Sequence, residues 1–307
     1  MAEVYSHSRL ETFDRCPRRF FYRYRAGLPP ESESIEAFVG KRVHEVLERL
    51  YRAVDRGNIP SLEQVVARYR QLFHDTHDAE RVRIVRVEEN LDSYLELGEH
   101  CLRNYYCDHY PFDRDETLGL EQRVEFGLGE LPSGPVRIQG FIDRVARARD
   151  GVLEIHDYKT SARVPSQRAL DADGQLALYQ IGLTKAESAP REVRLVWHFV
   201  RRGLTRTSTR TPSQLEALRT DVLERVERVR RETQWAAKPG PLCGWCEYRD
   251  GCSASPQRCS ETASYDSRPR VQAAALATRA PESPASAPVQ GLDQLALPLD
   301  PSAPATG

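Results

Sequence analysis

The stretch that decides the fold spans residues 140–160 and reads GFIDRVARARDGVLEIHDYKT. Two strand-like runs lie on either side of a short polar centre, which is the pattern of two β-strands joined by a turn. If residues 149–151 form a three-residue loop, Gly151 occupies the third, left-handed position that such loops favour. The stretch therefore predicts a β-hairpin.

The register of this hairpin determines where its acidic residues lie. With a three-residue loop, Ala148 pairs with Val152, and Asp143 then falls opposite Asp157 on the same face. Lys159 lies two residues beyond Asp157 and shares that face. A two-residue loop would shift the pairing by one residue and would put the two aspartates on opposite faces.

Two opposed carboxylates repel each other, so such a hairpin needs a compensating positive charge. Lys159 can provide it, and carboxylate oxygens also suit Mg²⁺ or Mn²⁺. A metal beside a lysine can hydrolyse a phosphodiester, because the metal polarises the phosphate and activates water while the lysine orients or deprotonates that water. The alternative is an exposed hairpin with ordinary surface charges. If only the D-x-K triplet is considered, this alternative is favoured; the opposed Asp143 makes it less so.

Helical and strand-like segments alternate around the hairpin. Apolar residues at helical spacing predict a helix at about 38–54, and the charged stretch that follows predicts an inserted helical subdomain at about 58–112. Further strands are predicted at 118–130 and 192–200 and a further helix at 174–183. Capping boxes predict helix starts at 8–11 and 211–214.

Composition limits the class of protein. The net charge of the 307 residues is −1, so no overall basic field indicates nucleic acid. All but four of the 44 basic residues are arginine, which suits phosphate binding but also fits a coding bias. No apolar run is long enough to cross a membrane, and the first residues lack a signal-peptide core, so we expect a cytoplasmic protein.

Three of the seven cysteines lie in CGWCEYRDGC, residues 243–252, at C-x2-C-x5-C spacing. In the cytoplasm, cysteines are expected as thiols or metal ligands rather than as disulfides. A metal bound only by protein usually has four ligands, so this segment alone is one ligand short.

Five segments together resemble the PD-(D/E)XK nucleases, in the RecB-like branch that includes CRISPR-associated exonucleases with a cysteine cluster. In chain order they are SHSRLETFDRCPRRFFY, GKRVHEVLE, GFIDRV followed by HDYKTS, GQLALY and CGWCEYRDGC. The resemblance covers about residues 6–253. It implies an α/β fold with a restriction-endonuclease-like core, a central mixed sheet flanked by helices, over residues 1–259.

The resemblance also implies the roles of individual residues. His44, Asp143 and Asp157 would bind Mg²⁺ or Mn²⁺, and Lys159 would be the catalytic lysine. Alternatively, His44 lies beside Val43 and Leu47 in a predicted helix and could be a histidine at the helix surface or at the edge of the core, without a role in metal binding.

Three further positions follow from the same resemblance. Gln175 and Tyr179, one helical turn apart, would line the active site and contact DNA or the catalytic groups. They could instead be a helix face that packs on the sheet. Glu121 is a weaker candidate: it matches an acidic residue that the family carries on the strand before the hairpin. Glu121 and Glu125 are four residues apart and so lie on the same face of the predicted strand, and either could point inward or to solvent.

The resemblance makes Cys16 the fourth ligand beside Cys243, Cys246 and Cys252. Four thiolates hold either a [4Fe–4S] cluster or a zinc ion. Zinc sites usually show paired short spacings, so the lone upstream cysteine favours the cluster. The remaining cysteines are predicted not to be ligands: Cys101, Cys107 and Cys259. If Cys252 is not a ligand, Cys259 is the predicted substitute.

Two other segments suggest partners. The run RRFFYRYR, residues 18–25, suits single-stranded nucleic acid through charge and base stacking, or forms an amphipathic helix with a basic face. Beyond about 260 the chain is rich in Ala, Pro and Ser and is predicted to be a disordered tail. Within it, QLALPL from Gln294 to Leu299 resembles peptides that dock on the bacterial sliding clamp, or is a chance Leu-rich patch.

The sequence thus predicts a metal-dependent deoxyribonuclease, an exonuclease on single strands or DNA ends, in DNA repair, recombination or related processing. No G-x4-GK[ST] loop is present, so any unwinding would come from a helicase partner. The alternative function is a DNA-binding or assembly subunit that keeps the nuclease fold with little activity.

Overall fold

A mixed six-stranded β-sheet forms the centre of the protein. The computed structural model describes residues 3–86, 88–184 and 192–255. The sheet strands are β1 (Val4–Tyr5), β4 (Asp115–Leu131), β5 (Gly134–Ala148), β6 (Leu153–Tyr158), β7 (Val193–Phe199) and β8 (Leu204–Ser208). Strands β2 (Glu33–Ser34) and β3 (Val82–Arg83) form a separate parallel pair.

Strand β5 organises this sheet. One of its edges pairs antiparallel with β4 along nearly its whole length. Its other edge is shared, because β1 pairs with it in parallel and β6 pairs with its second half antiparallel. Strand β7 then runs parallel to β6 and antiparallel to β8. The parallel step needs a crossover, which α6 (Gln167–Asp171) and α7 (Gln175–Leu183) provide.

The predicted hairpin and its register are confirmed. Arg144 pairs with His156, and the amide of Ala148 donates to the carbonyl of Val152 at 2.9 Å, as a three-residue loop requires. Gly151 has φ 83°, the left-handed conformation that glycine adopts without strain. The same register, extended by one pair, puts Asp143 opposite Asp157.

Helices cover the sheet on both sides. One core joins α3 (Ile35–Val54), α4 (Leu62–Thr76) and α5 (Leu91–His109) to the sheet and includes Tyr158. Two further clusters pack the sheet against α7 and against the remaining helices, α1 (His7–Arg15), α2 (Pro17–Phe20) and α8 (Pro212–Arg231). Among the described residues, no helix is both long and apolar enough to cross a membrane. The fold is therefore α/β, a mixed sheet between helices, as predicted.

The two predicted capping boxes have different outcomes. Thr211 caps α8, and the side chain of Gln214 reaches back to the Thr211 amide, so this prediction is confirmed. The prediction at 8–11 is wrong: α1 begins after Ser6, whose side chain accepts from the Arg9 amide at 3.1 Å. Ser6 and Ser8 are equally good caps by type, and the β1 strand that ends at Tyr5 selects the earlier one.

A buried polar cluster under α3 and α5 was not predicted. The Arg144 side chain is fully buried and donates to both carboxylate oxygens of Asp115, at 2.5 and 3.0 Å, while its guanidinium lies over the Tyr51 ring. His156 lies beside it and shares a 2.8 Å hydrogen bond with His198. A buried charge is tolerated only when it is paired in this way.

This cluster makes the stability of the fold depend on pH. Burial, together with Arg144, lowers the pKa of His156 to about 4, against about 6.5 in an unfolded chain. Between these values the unfolded state binds a proton that the folded state does not, so acidification destabilises the protein. When the pH falls from 7 to 5, the free energy of unfolding should decrease by about 2 kcal/mol less in His156→Gln than in the unmodified protein. Urea unfolding at both pH values measures this difference.

Groups that titrate in both proteins cancel in this comparison. His100→Gln, which replaces an exposed histidine of α5, is the matched control for the loss of a histidine. An identical loss of stability in His156→Gln and in the original protein would show that His156 titrates normally.

Candidate active site

The predicted acidic residues and Lys159 meet where β6 ends against β5 and β7. Lys159 directly follows β6, and its backbone is fixed on both sides: its amide donates to the His198 carbonyl at 2.8 Å, and its carbonyl accepts from the Val200 amide at 3.1 Å. Asp143 lies on β5 one residue beyond the β6 ladder. The backbone therefore holds both groups in rigid, hydrogen-bonded segments.

The Tyr158 backbone positions both Asp143 and His44. Its amide donates to Asp143 Oδ2 at 2.7 Å, and its carbonyl accepts from His44 Nε2, also at 2.7 Å. Nε2 therefore carries the proton, and His44 Nδ1 faces Asp143 Oδ1 at 3.4 Å. Although burial opposes it, Asp143 raises the pKa of His44 to about 9. A bound cation would displace the Nδ1 proton and use that nitrogen as a ligand.

Glu121 belongs to the same group. Ligand atoms of His44, Glu121 and Asp143 lie within 4.8 Å of one another. Burial, and to a smaller extent the nearby Asp143, raise the pKa of Glu121 to about 7. Glu121 also has φ 45°, a left-handed conformation that is unfavourable for a glutamate within a strand. Strain of this kind is typical of functional sites.

Asp157 forms a second, adjoining group with Lys159 and Gln175. Lys159 Nζ lies 3.0 and 2.9 Å from the two Asp157 oxygens and 3.0 Å from Gln175 Oε1. Gln175 Nε2 donates to Asp157 Oδ1 at 3.2 Å, which closes a ring of contacts. Asp157 thus pairs with Lys159, as the hairpin register predicts, and the group of ligand atoms within 4.8 Å of one another consists of His44, Glu121 and Asp143.

The charges of this second group depend on each other. Burial raises the pKa of Asp157 to about 6; Lys159 opposes that shift and Asp143 adds to it. Burial would lower the pKa of Lys159, but Asp157 outweighs it and the pKa is raised. Lys159 is therefore protonated at neutral pH. Asp157 Oδ2 is buried and has no aligned hydrogen bond, so it keeps a lone pair for a cation.

Tyr179 packs inside this site rather than at its surface. Its ring lies against Gly140, where an added Cβ would be only 2.1 Å from Tyr179 Cε1. Tyr179 is buried and burial raises its pKa. Of the two predicted α7 residues, Gln175 contacts the charged groups directly, and Tyr179 fills the space between the helix and β5.

The donor set fits a divalent cation. One imidazole nitrogen and the carboxylates of Glu121 and Asp143 converge, and their repulsion would be relieved by positive charge. A second group, Asp115 with Glu154 and His156, has similar spacing. There, arginine side chains already neutralise both carboxylates, so that group has no need of a cation.

The profile of the PD-(D/E)XK nuclease superfamily matches residues 4–253. The chain belongs to this superfamily. Two solved structures are similar at low identity. SSO0001 is 13% identical with a TM-score of 0.37, and the match covers 83% of this chain and 89% of SSO0001. A provisionally assigned exonuclease from Eubacterium rectale is 12% identical with a TM-score of 0.44, and the match covers 87% of this chain and 91% of that protein. No curated protein matches the chain.

In this PD-(D/E)XK protein, the four predicted cysteine ligands share one cavity. Cys16, Cys243, Cys246 and Cys252 line a space of about 170 Å³ that also contacts Arg19. Of the other cysteines, Cys101 is buried in α5 and Cys107 is exposed, and neither lines this space; Cys259 is outside the described residues.

The run RRFFYRYR builds the wall that brings these cysteines together. Phe20 is fully buried and stacks on Trp235 with ring centres 5.7 Å apart, and Arg18 donates to the Trp235 carbonyl at 2.8 Å. Arg19 and Arg23 both pair with Glu247, inside the cysteine segment. These contacts favour packing over nucleic-acid binding for this run.

Gly140 offers a test of the packing at the site. We expect Gly140→Ala to destabilise the protein by about 1–3 kcal/mol in urea unfolding, because Tyr179 is enclosed and must shift to admit the new Cβ. Gly127 on β4 is the matched control, since an added Cβ there meets no atom within 4 Å. Equal stability of Gly140→Ala and Gly127→Ala would contradict the close contact.

Proposed function

We propose that the protein is a Mg²⁺- or Mn²⁺-dependent deoxyribonuclease, an exonuclease that acts on single strands or DNA ends. The observation that carries this proposal is the juxtaposition of two groups: His44, Glu121 and Asp143 converge on one point, and the buried pair of Asp157 and Lys159 adjoins it. Membership of the PD-(D/E)XK nuclease superfamily supports the same reaction.

The protein residues have separate tasks in this reaction. His44, Glu121 and Asp143 would hold the metal, and Asp157 would supply a further carboxylate ligand. When bound, the metal polarises the phosphate and lowers the pKa of water. These ligands lie on α3, β4, β5 and β6, so all four elements must pack correctly before the site forms.

Lys159 acts on the phosphate side of the site. It is protonated and two-thirds buried, so its charge acts in surroundings of low polarity, where it neutralises developing negative charge effectively. Gln175 accepts from the ammonium group and donates to Asp157, which holds the lysine toward the metal-binding group. Gln175 is therefore a positioning residue.

Lys159→Ala and Asp157→Ala test the proposal. We expect each to lower the rate of Mg²⁺- or Mn²⁺-dependent DNA degradation by about 10²–10⁴-fold, since the first removes charge neutralisation and the second a metal ligand. Asp150→Asn, at the exposed tip of the same hairpin, should keep full activity. Thermal melting separates loss of chemistry from loss of fold.

The opposite outcome would favour the alternative function. If the protein with its metal and cofactor loaded binds DNA but degrades no single strand and no DNA end, it is a binding or assembly subunit that retains the nuclease fold.

We further propose that Cys16, Cys243, Cys246 and Cys252 hold a [4Fe–4S] cluster. Tetrahedral zinc brings its sulfur ligands to about 3.8 Å from one another. Among the described cysteines, no three sulfurs lie within 4.8 Å of one another. A central space surrounded by separated thiols suits the larger cluster better, so zinc is the second choice.

Anaerobic purification tests the cluster. We expect a brown protein with iron and sulfide, and we expect Cys16→Ser to lose most of that iron and to melt at a lower temperature, because the metal bonds close a long loop. Cys107→Ser, which changes an exposed thiol, is the control. A colourless protein containing zinc would overturn the cluster assignment.

The wider role remains a proposal from the sequence. DNA repair, recombination or related processing in the cytoplasm, with a helicase partner, is consistent with an end-degrading nuclease. The predicted domain boundaries, 1–259 with an insertion at 58–112, stay part of this proposal. Docking on the sliding clamp through 294–299 also stays a prediction, since that peptide lies outside the described residues.

A further inference from the structure

A second, larger cavity adjoins the active site. It has a volume of about 530 Å³ and lies between the N-terminal segment, the start of α3, residues 78–82 and the cysteine segment. Five basic and three acidic side chains line it, whereas the whole chain has a net charge of −1. We call this cavity the basic groove; its basic residues are Arg19, Arg23, Lys41, Arg42 and Arg81.

Lys41 connects the basic groove to the metal-binding group. It lies on α3 one helical turn before His44, and it lines both the basic groove and the smaller cavity that contains His44 and Glu121. Its side chain is 62% exposed, and an ion pair with Glu33 holds it at the junction of the two cavities. A chain of phosphates that passes the metal-binding group would therefore reach Lys41 next.

The other basic residues of the groove differ in availability. Arg19 and Arg23 share Glu247, so much of their charge is already balanced. Arg42 hydrogen bonds Thr76 and lies 3.8 Å from Glu45. Arg81 is exposed; its backbone amide donates to Asp78 Oδ1 at 3.3 Å, and its guanidinium is in no ion pair among the described residues. Arg81 is therefore available for a phosphate, and Lys41, although paired with Glu33, is 62% exposed at the junction with the metal-binding group, where a phosphate can displace Glu33.

Trp245 gives the groove an aromatic surface. It ends a short helical turn, Pro241–Trp245, is half-buried, and lines the groove. Trp235, by contrast, packs against Phe13, Phe20 and Phe21. Trp245 contacts no other aromatic ring among the described residues, and it lines the groove together with the basic side chains. Basic side chains beside an aromatic ring are the combination that binds single-stranded nucleic acid.

We propose that the basic groove holds the single DNA strand next to the cleaved phosphodiester, with Lys41 and Arg81 binding phosphates and Trp245 stacking on a base. This inference rests on the proposed nuclease function and assigns its substrate path. Inside a duplex each base stacks on both of its neighbours, so an unpaired strand offers a free base face to Trp245 more readily than paired DNA does. The groove thus gives the enzyme a preference for single strands.

Binding measurements without divalent metal test the groove apart from cleavage. The probe is a fluorescently labelled single-stranded oligonucleotide, with the full protein and fluorescence anisotropy as the readout. We expect the double variant Lys41→Gln, Arg81→Gln to bind about ten-fold or more weakly and to flatten the plot of log affinity against log salt by roughly 0.7 per lost contact. Arg231→Gln, 76% exposed on α8, is the control and should bind normally.

Trp245 provides an independent variant. Trp245→Ala should bind about ten-fold more weakly, whereas Trp245→Phe, which keeps a stacking surface, should bind within about three-fold of the original protein. Iron content and melting temperature show whether the adjacent cysteine segment is intact. Should Trp245→Ala perturb that segment, the phenylalanine variant and the Lys41, Arg81 pair still decide the question.

The outcomes separate the two proposals. Normal single-strand binding by the Lys41, Arg81 double variant, or an equal loss of duplex binding in that variant, overturns the single-strand groove even if the protein is an active nuclease. Groove-dependent binding by a protein that degrades no DNA supports the groove and overturns the nuclease function.

Discussion

The Tyr158 backbone is the contact on which the site depends. One peptide segment holds an aspartate of β5 through its amide and a histidine of α3 through its carbonyl. The Tyr158 side chain lies buried in the core under α3 and α5, 3.4 Å from the Tyr105 hydroxyl. The sheet register, the helix packing and the spacing of the Asp143 and His44 side chains are therefore fixed together, and none can shift alone.

The distribution of charge explains why such a site is stable before it binds anything. Lys159 lies within 3.0 Å of Asp157, and this pairing offsets the cost of burying that carboxylate. Asp143 accepts a backbone hydrogen bond and faces His44, whereas Glu121 makes no ion pair with any described residue, and burial together with Asp143 raises its pKa to about 7. A cation bound beside Glu121 and Asp143 would favour the ionised form of Glu121, so this side of the site is where a cation would be drawn.

The hairpin could be predicted because its information is local. Gly151 selects the loop, the loop selects the register, and the alternation of strands then puts Asp143, Asp157 and Lys159 together. The sequence predicted Asp157 as a metal ligand and named Glu121 as a weaker candidate; the structure brings Glu121 to His44 and Asp143 and pairs Asp157 with Lys159 beside them. Strand parity could not find this arrangement, because Glu121 leaves the regular strand conformation at φ 45°.

Long-range contacts were harder to predict, because the residues that make them lie far apart in the sequence. Arg144 reads as one polar residue of an alternating strand, and only the packing of α3 and α5 over the sheet encloses it with Asp115. The aromatic residues near Phe20 have the composition of a nucleic-acid surface, but Trp235, far along the chain, turns them into core. Composition alone does not distinguish an exposed aromatic ring from a buried one.

The cysteine segment and the active site differ in how they are supported. Asp143, Asp157 and Lys159 are fixed by sheet hydrogen bonds that exist without any metal. Trp245 lies next to Cys246 in a short turn, and its segment is held by Glu247, by Arg83, which donates to the Cys246 carbonyl at 2.9 Å, and by the proposed cluster bonds. Loss of the cluster would therefore disturb the wall of the basic groove first and leave the sheet-borne groups in place. If both proposals hold, the cluster would govern how DNA is held and the sheet would govern how it is cut.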